Sequence, residues 1–218
     1  MLPACGGGSP SSPTPTATPP PFARFEYNGV THVSWWHDEY GTPAATDSRR
    51  ALAATGAGWG GLLTTWYMER KQSNDIRPVA NRSNDDDVVR RAIDEMHALG
   101  LKVMLKPHVD VEDGTWRAQI VPTSPDRWFE SYAAFMDHYV AMAAEKKVEM
   151  LCIGTELASM SGSRYAGQWA SLIARIRSRY PGLLTYAANG VDAADEFTSV
   201  SFWGQVDLIG ADVYTPLT

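Results

Sequence analysis

From about residue 30 onward, short apolar runs alternate with longer stretches in which apolar residues recur at helical spacing. The apolar runs cover residues 30–36, 59–66, 101–108, 148–154, 183–188 and 206–213, and their length and β-branched or aromatic content predict strands. Between them, residues 46–56 read as a helix capped by Thr46 or Asp47 and stopped by Gly56. Residues 84–99 read as a helix opened by Asp85, Asp86 and Asp87, acids at the positive end of the helix dipole, and closed by Gly100. Residues 126–146 form a long predicted helix, 164–180 another closed by Pro181-Gly182, and 198–204 a short helical turn. Strict β/α alternation implies parallel strands joined by right-handed crossovers.

Two architectures have that rhythm. An open doubly wound sheet normally carries a glycine-rich turn after its first strand, whereas the residues here are Trp35-Trp36-His37-Asp38-Glu39, bulky and acidic. The expectation is therefore a (β/α)8 barrel. A whole barrel takes about 250 residues, and six β/α units are legible here, so residues 23–218 read as an incomplete barrel.

Residues 1–22 are Gly, Ser, Pro and Thr with almost nothing to bury, and read as a disordered tether. Leu2-Pro3-Ala4-Cys5-Gly6 resembles the lipobox of bacterial lipoproteins, although no basic or apolar segment precedes Cys5. The expectation is an exported cell-surface or periplasmic protein that meets the membrane only through a lipid on Cys5. No stretch approaches the roughly 20 apolar residues needed to span a bilayer. Cys152, inside Met150-Leu151-Cys152-Ile153, reads as a small buried hydrophobe.

The net charge of −6, with Lys and Arg scattered, argues against a nucleic-acid partner. Eight Trp in 218 residues, several of them at strand ends, suit stacking on sugar rings as well as they suit a core. The chain is read as a monomer.

Barrel active sites lie at the C-terminal ends of the strands. The candidates are therefore Trp35, Trp36, His37 and Asp38; Thr65, Trp66 and Tyr67; Lys106, His108 and Asp110; Thr155 and Glu156; Asn189 and Asp192; Asp212 and Tyr214. Side chains alternate along a strand, so Lys102, Met104, Lys106, His108 and Asp110 share the face opposite Val103, Leu105, Pro107 and Val109. An inward Lys106 requires a carboxylate partner, Glu156 or Asp212, unless it reaches solvent at the strand end. Met150, Cys152, Gly154 and Glu156 share parity, which puts a carboxylate at the top of the fourth strand, with Gly154 below it leaving space beside a reacting sugar. The competing account is that Glu156 merely opens the next helix. His108-x-Asp110 has the form of a metal pair, but His32 and His37 have opposite parity and do not complete it.

Six segments in order resemble glycoside hydrolase family 113, the β-1,4-mannanases of the retaining (β/α)8-barrel clan: Ser34-Trp35-Trp36, Thr64-Thr65-Trp66-Tyr67, Leu105 to Asp110, Gly154-Thr155-Glu156-Leu157, Tyr186 to Asn189, and Ile209 to Tyr214. The resemblance implies that Glu156 is the acid/base, that no cofactor is needed, and that the nucleophile is a glutamate at the end of a seventh strand, which this chain does not reach. On that reading the chain alone is inactive. The implied partner is a polysaccharide or oligosaccharide substrate, and Trp36, Trp66, Lys106, His108, Asn189, Asp212 and Tyr214 are then expected to line the sugar site. A glycosidase for glucan or xylan, a non-catalytic carbohydrate-binding barrel, and a metal-dependent hydrolase are the competing readings.

Overall fold

A computed structural model describes residues 25–190 and 196–214. The tail with Cys5, and Asp192, lie outside the described residues. Strands β1 (Gly29–His32), β2 (Trp59–Met68), β3 (Lys102–Val111), β4 (Met150–Thr155), β5 (Leu183–Asn189) and β6 (Leu208–Asp212) form one sheet, all parallel and paired in chain order. A doubly wound sheet reverses direction at its first strand. This order never reverses, so the sheet follows the winding of a barrel. Helices α1 (Pro43–Ala54), α2 (Asp86–Ala98), α3 (Pro125–Glu145), α4 (Ala166–Arg177) and the single turn α5 (Glu196–Ser199) fill the crossovers.

One side of the sheet packs on α2, α3 and α4 through Ile93, Met96, Trp128, Phe135, Tyr139, Trp169 and Ile173, all buried. The other side is the concave interior. There Leu63, Thr65 and Tyr67 of β2 stand in register with Lys106, His108 and Asp110 of β3. β1 and β6 are paired on one side only among the described residues, and Val30 and Ile209 on them are exposed.

The elements depart from the sequence reading at two informative places. Helix α1 begins at Pro43, not Thr46, because Thr42 caps it: its Oγ1 accepts from the Ala45 amide at 3.2 Å, and proline at the first helical position supplies a φ already suited to a helix. In β4 the two-residue alternation breaks. Cys152 pairs with Thr185 and Thr155 with Ala187, so three steps on β4 match two on β5, which is a β-bulge. Among the described residues, no helix is long and apolar enough to cross a membrane.

Candidate active site

Lys106 points into the concave side and its Nζ lies 2.8 Å from both carboxylate oxygens of Asp212. Both side chains are largely buried, so the acidic partner demanded by an inward lysine is Asp212, not Glu156. A flat sheet would set β3 and β6 about 14 Å apart, three strand spacings. The direct contact therefore requires the sheet to curl.

Glu156 reaches the mouth by a route that alternation does not describe. Because of the bulge, Gly154 faces the helix layer: a Cβ there would lie 2.7 Å from the Tyr186 ring and 2.9 Å from the Tyr132 hydroxyl. The expectation that Gly154 opens space beside a sugar is thus wrong; the glycine admits two tyrosines instead. Thr155 shares the inner side with Cys152, their Oγ1 and Sγ atoms 3.9 Å apart. Glu156 then adopts φ +50°, the left-handed region, which is unusual for a residue with a side chain. Its amide donates to the Ala187 carbonyl at 2.8 Å, and the next amide, of Leu157, donates to the Tyr186 hydroxyl at 2.9 Å. That hydroxyl in turn donates to Glu196, a fully buried carboxylate that also accepts from Ser161 Oγ at 2.9 Å and the Asn189 amide at 2.8 Å. Burial pushes the Glu196 carboxyl above the ordinary glutamate range against these three hydrogen bonds, with the charge of Glu156 adding to the rise. The turn that carries Glu156 is therefore fixed from beneath by a buried network.

Glu156 is only 8% exposed. Two donors from the loop after β3 meet its Oε2: the Trp116 indole Nε1 at 3.2 Å and Arg117 Nη1 at 3.1 Å. Arg117 also donates through Nε to Asp110 Oδ1 at 3.0 Å and to the Val109 carbonyl at 3.2 Å, so its fork is held in place. Two donors on one oxygen set the plane of the carboxyl. A carboxyl so oriented at the mouth of a barrel can give a proton to a leaving oxygen and later take one from water.

His108 lies on the same inner side and is buried, and neither ring nitrogen has a hydrogen-bond partner among the described residues; the same holds for Oγ1 of Thr65 beside it in the register. Burial first, then the charges of Arg117 and Lys106, hold the His108 imidazole well below the ordinary histidine range, so it is neutral. Neutral imidazole offers one donor and one acceptor, which suits a sugar hydroxyl. Asn189 sits in register with Asp212 on the same side.

Not every expected residue gathers here. Trp66 turns away: its ring packs on Phe135, His138 and Tyr139 of α3, with centroids 5.5, 5.2 and 6.1 Å away. The strand register gives the reason, since it is Tyr67, not Trp66, that pairs with inward Asp110. Tyr214 stands beyond β6, 84% exposed, and Trp36 is 61% exposed on the rim. Trp116, Arg117 and Glu196 were not anticipated; two lie in a loop and one in a single helical turn, where no periodicity signals a direction. Asp110 is engaged by Arg117, and among the described residues no group of three His, Cys, Asp or Glu side chains could hold a metal ion. A hollow of about 970 Å³ between α3 and α4, lined by Phe129 and Leu172 among others, lies on the outer helix layer, away from all these residues.

Residues 31–218 match the sequence profile of Glycoside Hydrolase Family 113. Among solved structures, the β-mannanase AaManA from Alicyclobacillus acidocaldarius in complex with ManMIm is 35% identical, with a TM-score of 0.77 over 84% of this chain and 59% of that one. Two structures of a family 113 β-1,4-mannanase, one of them a complex, are 31% and 30% identical, with TM-scores of 0.79 and 0.77; they cover 88% and 86% of this chain. This chain spans 64% and 62% of their length. A search of curated protein sequences gives no match.

Proposed function

The chain belongs to glycoside hydrolase family 113, and from that premise we propose that it acts in the retaining hydrolysis of β-1,4-linked mannan, with Glu156 as the acid/base. The observation that carries this reading is the placement of Glu156: a largely buried carboxyl at the top of β4, set in a left-handed turn and oriented by Trp116 and Arg117. Protonated Glu156 gives its proton to the departing glycosidic oxygen while a second carboxylate attacks the anomeric carbon; Glu156 then accepts a proton from the incoming water. Retention requires the two carboxyls about 5–5.5 Å apart. The resemblance places the second at the end of a seventh strand; the described strands number six and present the acid/base side of the pair.

His108, Asn189 and the Lys106–Asp212 pair are proposed to read hydroxyls of the sugar nearest the cut, and Trp36 to supply an apolar face farther out. Mannan is favoured over other β-glycans because the structures at 30–35% identity are described as β-mannanases. The lipobox-like start supports a further proposal, an exported protein tethered through a lipid on Cys5, which metabolic labelling with palmitate and its loss in Cys5→Ser would test.

The test of activity uses the chain and, in parallel, the product of the complete reading frame that encodes it, on mannan, cellulose and xylan. The expectation is preference for mannan, products of retained anomeric configuration by proton NMR, and a loss of about 10²–10⁴-fold in Glu156→Gln. Inverted products, or a Glu156→Gln variant as active as the parent, would overturn the assignment.

A further inference from the structure

Arg117 serves two carboxylates at once. Its Nε and Nη2 both donate to Asp110 Oδ1, the first at 3.0 Å, and its Nη1 donates to Glu156 Oε2 at 3.1 Å. We propose that Asp110 is a positioning residue for the acid/base step: it takes up the charge of Arg117, so that Arg117 orients Glu156 without locking it as a carboxylate. The proposal rests on the reading of Glu156 as the acid/base, and adds the residue that keeps it able to hold a proton.

The first argument is a conflict between position and charge. An arginine within hydrogen-bond reach favours the ionised form of a carboxyl, whereas the first half of a retaining hydrolysis needs that carboxyl protonated. Arg117 with no other partner would fix the plane of the acid and favour loss of its proton through the same contact. Another group must answer the cation.

The second is the sum of charges. With Asp110 ionised and Arg117 protonated, the trio is neutral when Glu156 carries its proton and net negative when it does not. Without Asp110 the same two states are net positive and neutral, so the neutral assembly becomes the one with ionised Glu156. The side chains of Asp110, Arg117 and Glu156 are 26%, 14% and 11% exposed. With so little water around them to stabilise an unmatched charge, the neutral assembly is favoured.

The third is that the other groups around Glu156 are committed elsewhere. Lys106 is matched by Asp212. His108 is neutral, held low by burial and by the charges of Arg117 and Lys106. Burial, and then Glu196, push the Tyr186 hydroxyl well above the ordinary tyrosine range, and burial raises the Cys152 thiol, so both keep their protons. Glu196 opposes charge on Glu156 from α5, but it bonds to Tyr186, Ser161 and the Asn189 amide. Among the described residues, Asp110 is the one carboxylate besides Glu156 with which Arg117 pairs.

The experiment is the pH profile of kcat/KM on a β-1,4-manno-oligosaccharide, for the product of the complete reading frame and its variants Asp110→Asn, Asp110→Glu, Arg117→Gln and the double Asp110→Asn, Arg117→Gln. Circular dichroism checks that each folds. Glu156→Gln, assayed on a dinitrophenyl glycoside whose leaving group needs no proton, assigns the alkaline limb to Glu156 by its absence. Asp110→Asn is expected to move that limb about one unit toward lower pH, about a tenfold loss of rate on the limb. Arg117→Gln should move it the other way, while Asp110→Glu and the double variant return close to the parent. An Asp110→Asn profile lowered equally at every pH, with its limb in place, would make Asp110 only a prop for Arg117 and refute the proposal while the glycosidase reading stands; a limb moved to higher pH would do the same. Should Asp110→Asn not fold, an unmoved limb in Arg117→Gln is the refuting result. If the parent cleaves no manno-oligosaccharide, or Glu156→Gln cleaves it as well as the parent does, both readings fall.

Discussion

Replacing Lys106 by Met tests the curl of the sheet. The lysine Nζ contacts both oxygens of Asp212 at 2.8 Å across two intervening strands, with the two side chains 11% and 17% exposed. At that distance and an effective dielectric near 20, the Coulomb attraction is about 6 kcal/mol, most of it offset by the desolvation of both charges. Removing one partner is different, because it strands the other. Methionine keeps the stem and leaves Asp212 in the interior without its cation, at a cost of about 3 kcal/mol, the lower end of the range for breaking a buried pair because both groups retain some solvent. Adding Asp212→Leu removes the stranded charge, and the double variant is expected to recover most of the loss. Urea denaturation of the parent, both single variants and the double variant, followed by far-UV circular dichroism, completes the cycle. A coupling below about 0.5 kcal/mol, the limit for independent sites, would mean that the pair does not tie β3 to β6, and the argument for the curl would fail.

Gly154→Ala places a Cβ within 2.7 Å of Tyr186 and 2.9 Å of the Tyr132 hydroxyl, and should lower stability by about 1–3 kcal/mol in thermal or urea melts; a neutral result would refute the bulge. Trp66→Ala should cost about 2–4 kcal/mol, reduced from a fully buried tryptophan because the ring is partly exposed, and should leave oligosaccharide affinity unchanged; lost affinity at unchanged stability would return Trp66 to the sugar site. The neutral state enforced on His108 gives a pH dependence. Its folded value lies below that of the unfolded chain, so the unfolded state binds the extra proton. This contribution to stability is full above about pH 6.5 and falls as the pH drops toward the folded value. Denaturation midpoints below pH 6.5 should fall more gently in His108→Gln than in the parent; equal slopes would contradict the burial argument.

Much of this protein follows from its one-dimensional pattern. Alternating apolar runs and amphipathic helices demand parallel strands and crossovers whatever the details, and a bulky acidic turn where a phosphate-binding glycine loop would stand points to a barrel. The same pattern forces a carboxylate partner on Lys106, because a charge facing inward must be answered wherever its partner lies in the chain. The location of that partner was open between Glu156 and Asp212, and only the curl of the sheet chose Asp212. Trp66 was expected at the sugar site, but the register of β2 against β3 turns Tyr67 inward in its place; one residue of register exchanges every inward side chain for its neighbour. Glu156 was expected at the mouth by simple alternation, yet it arrives there through a bulge and a left-handed turn, held by Tyr186 and Glu196 far along the chain. Trp116 and Arg117 carried no signal at all, since a loop side chain acquires direction from what surrounds it. Periodicity is local and survives in the sequence; register, bulges and loop contacts are set by neighbouring strands and buried partners, so they exist only once the chain has folded.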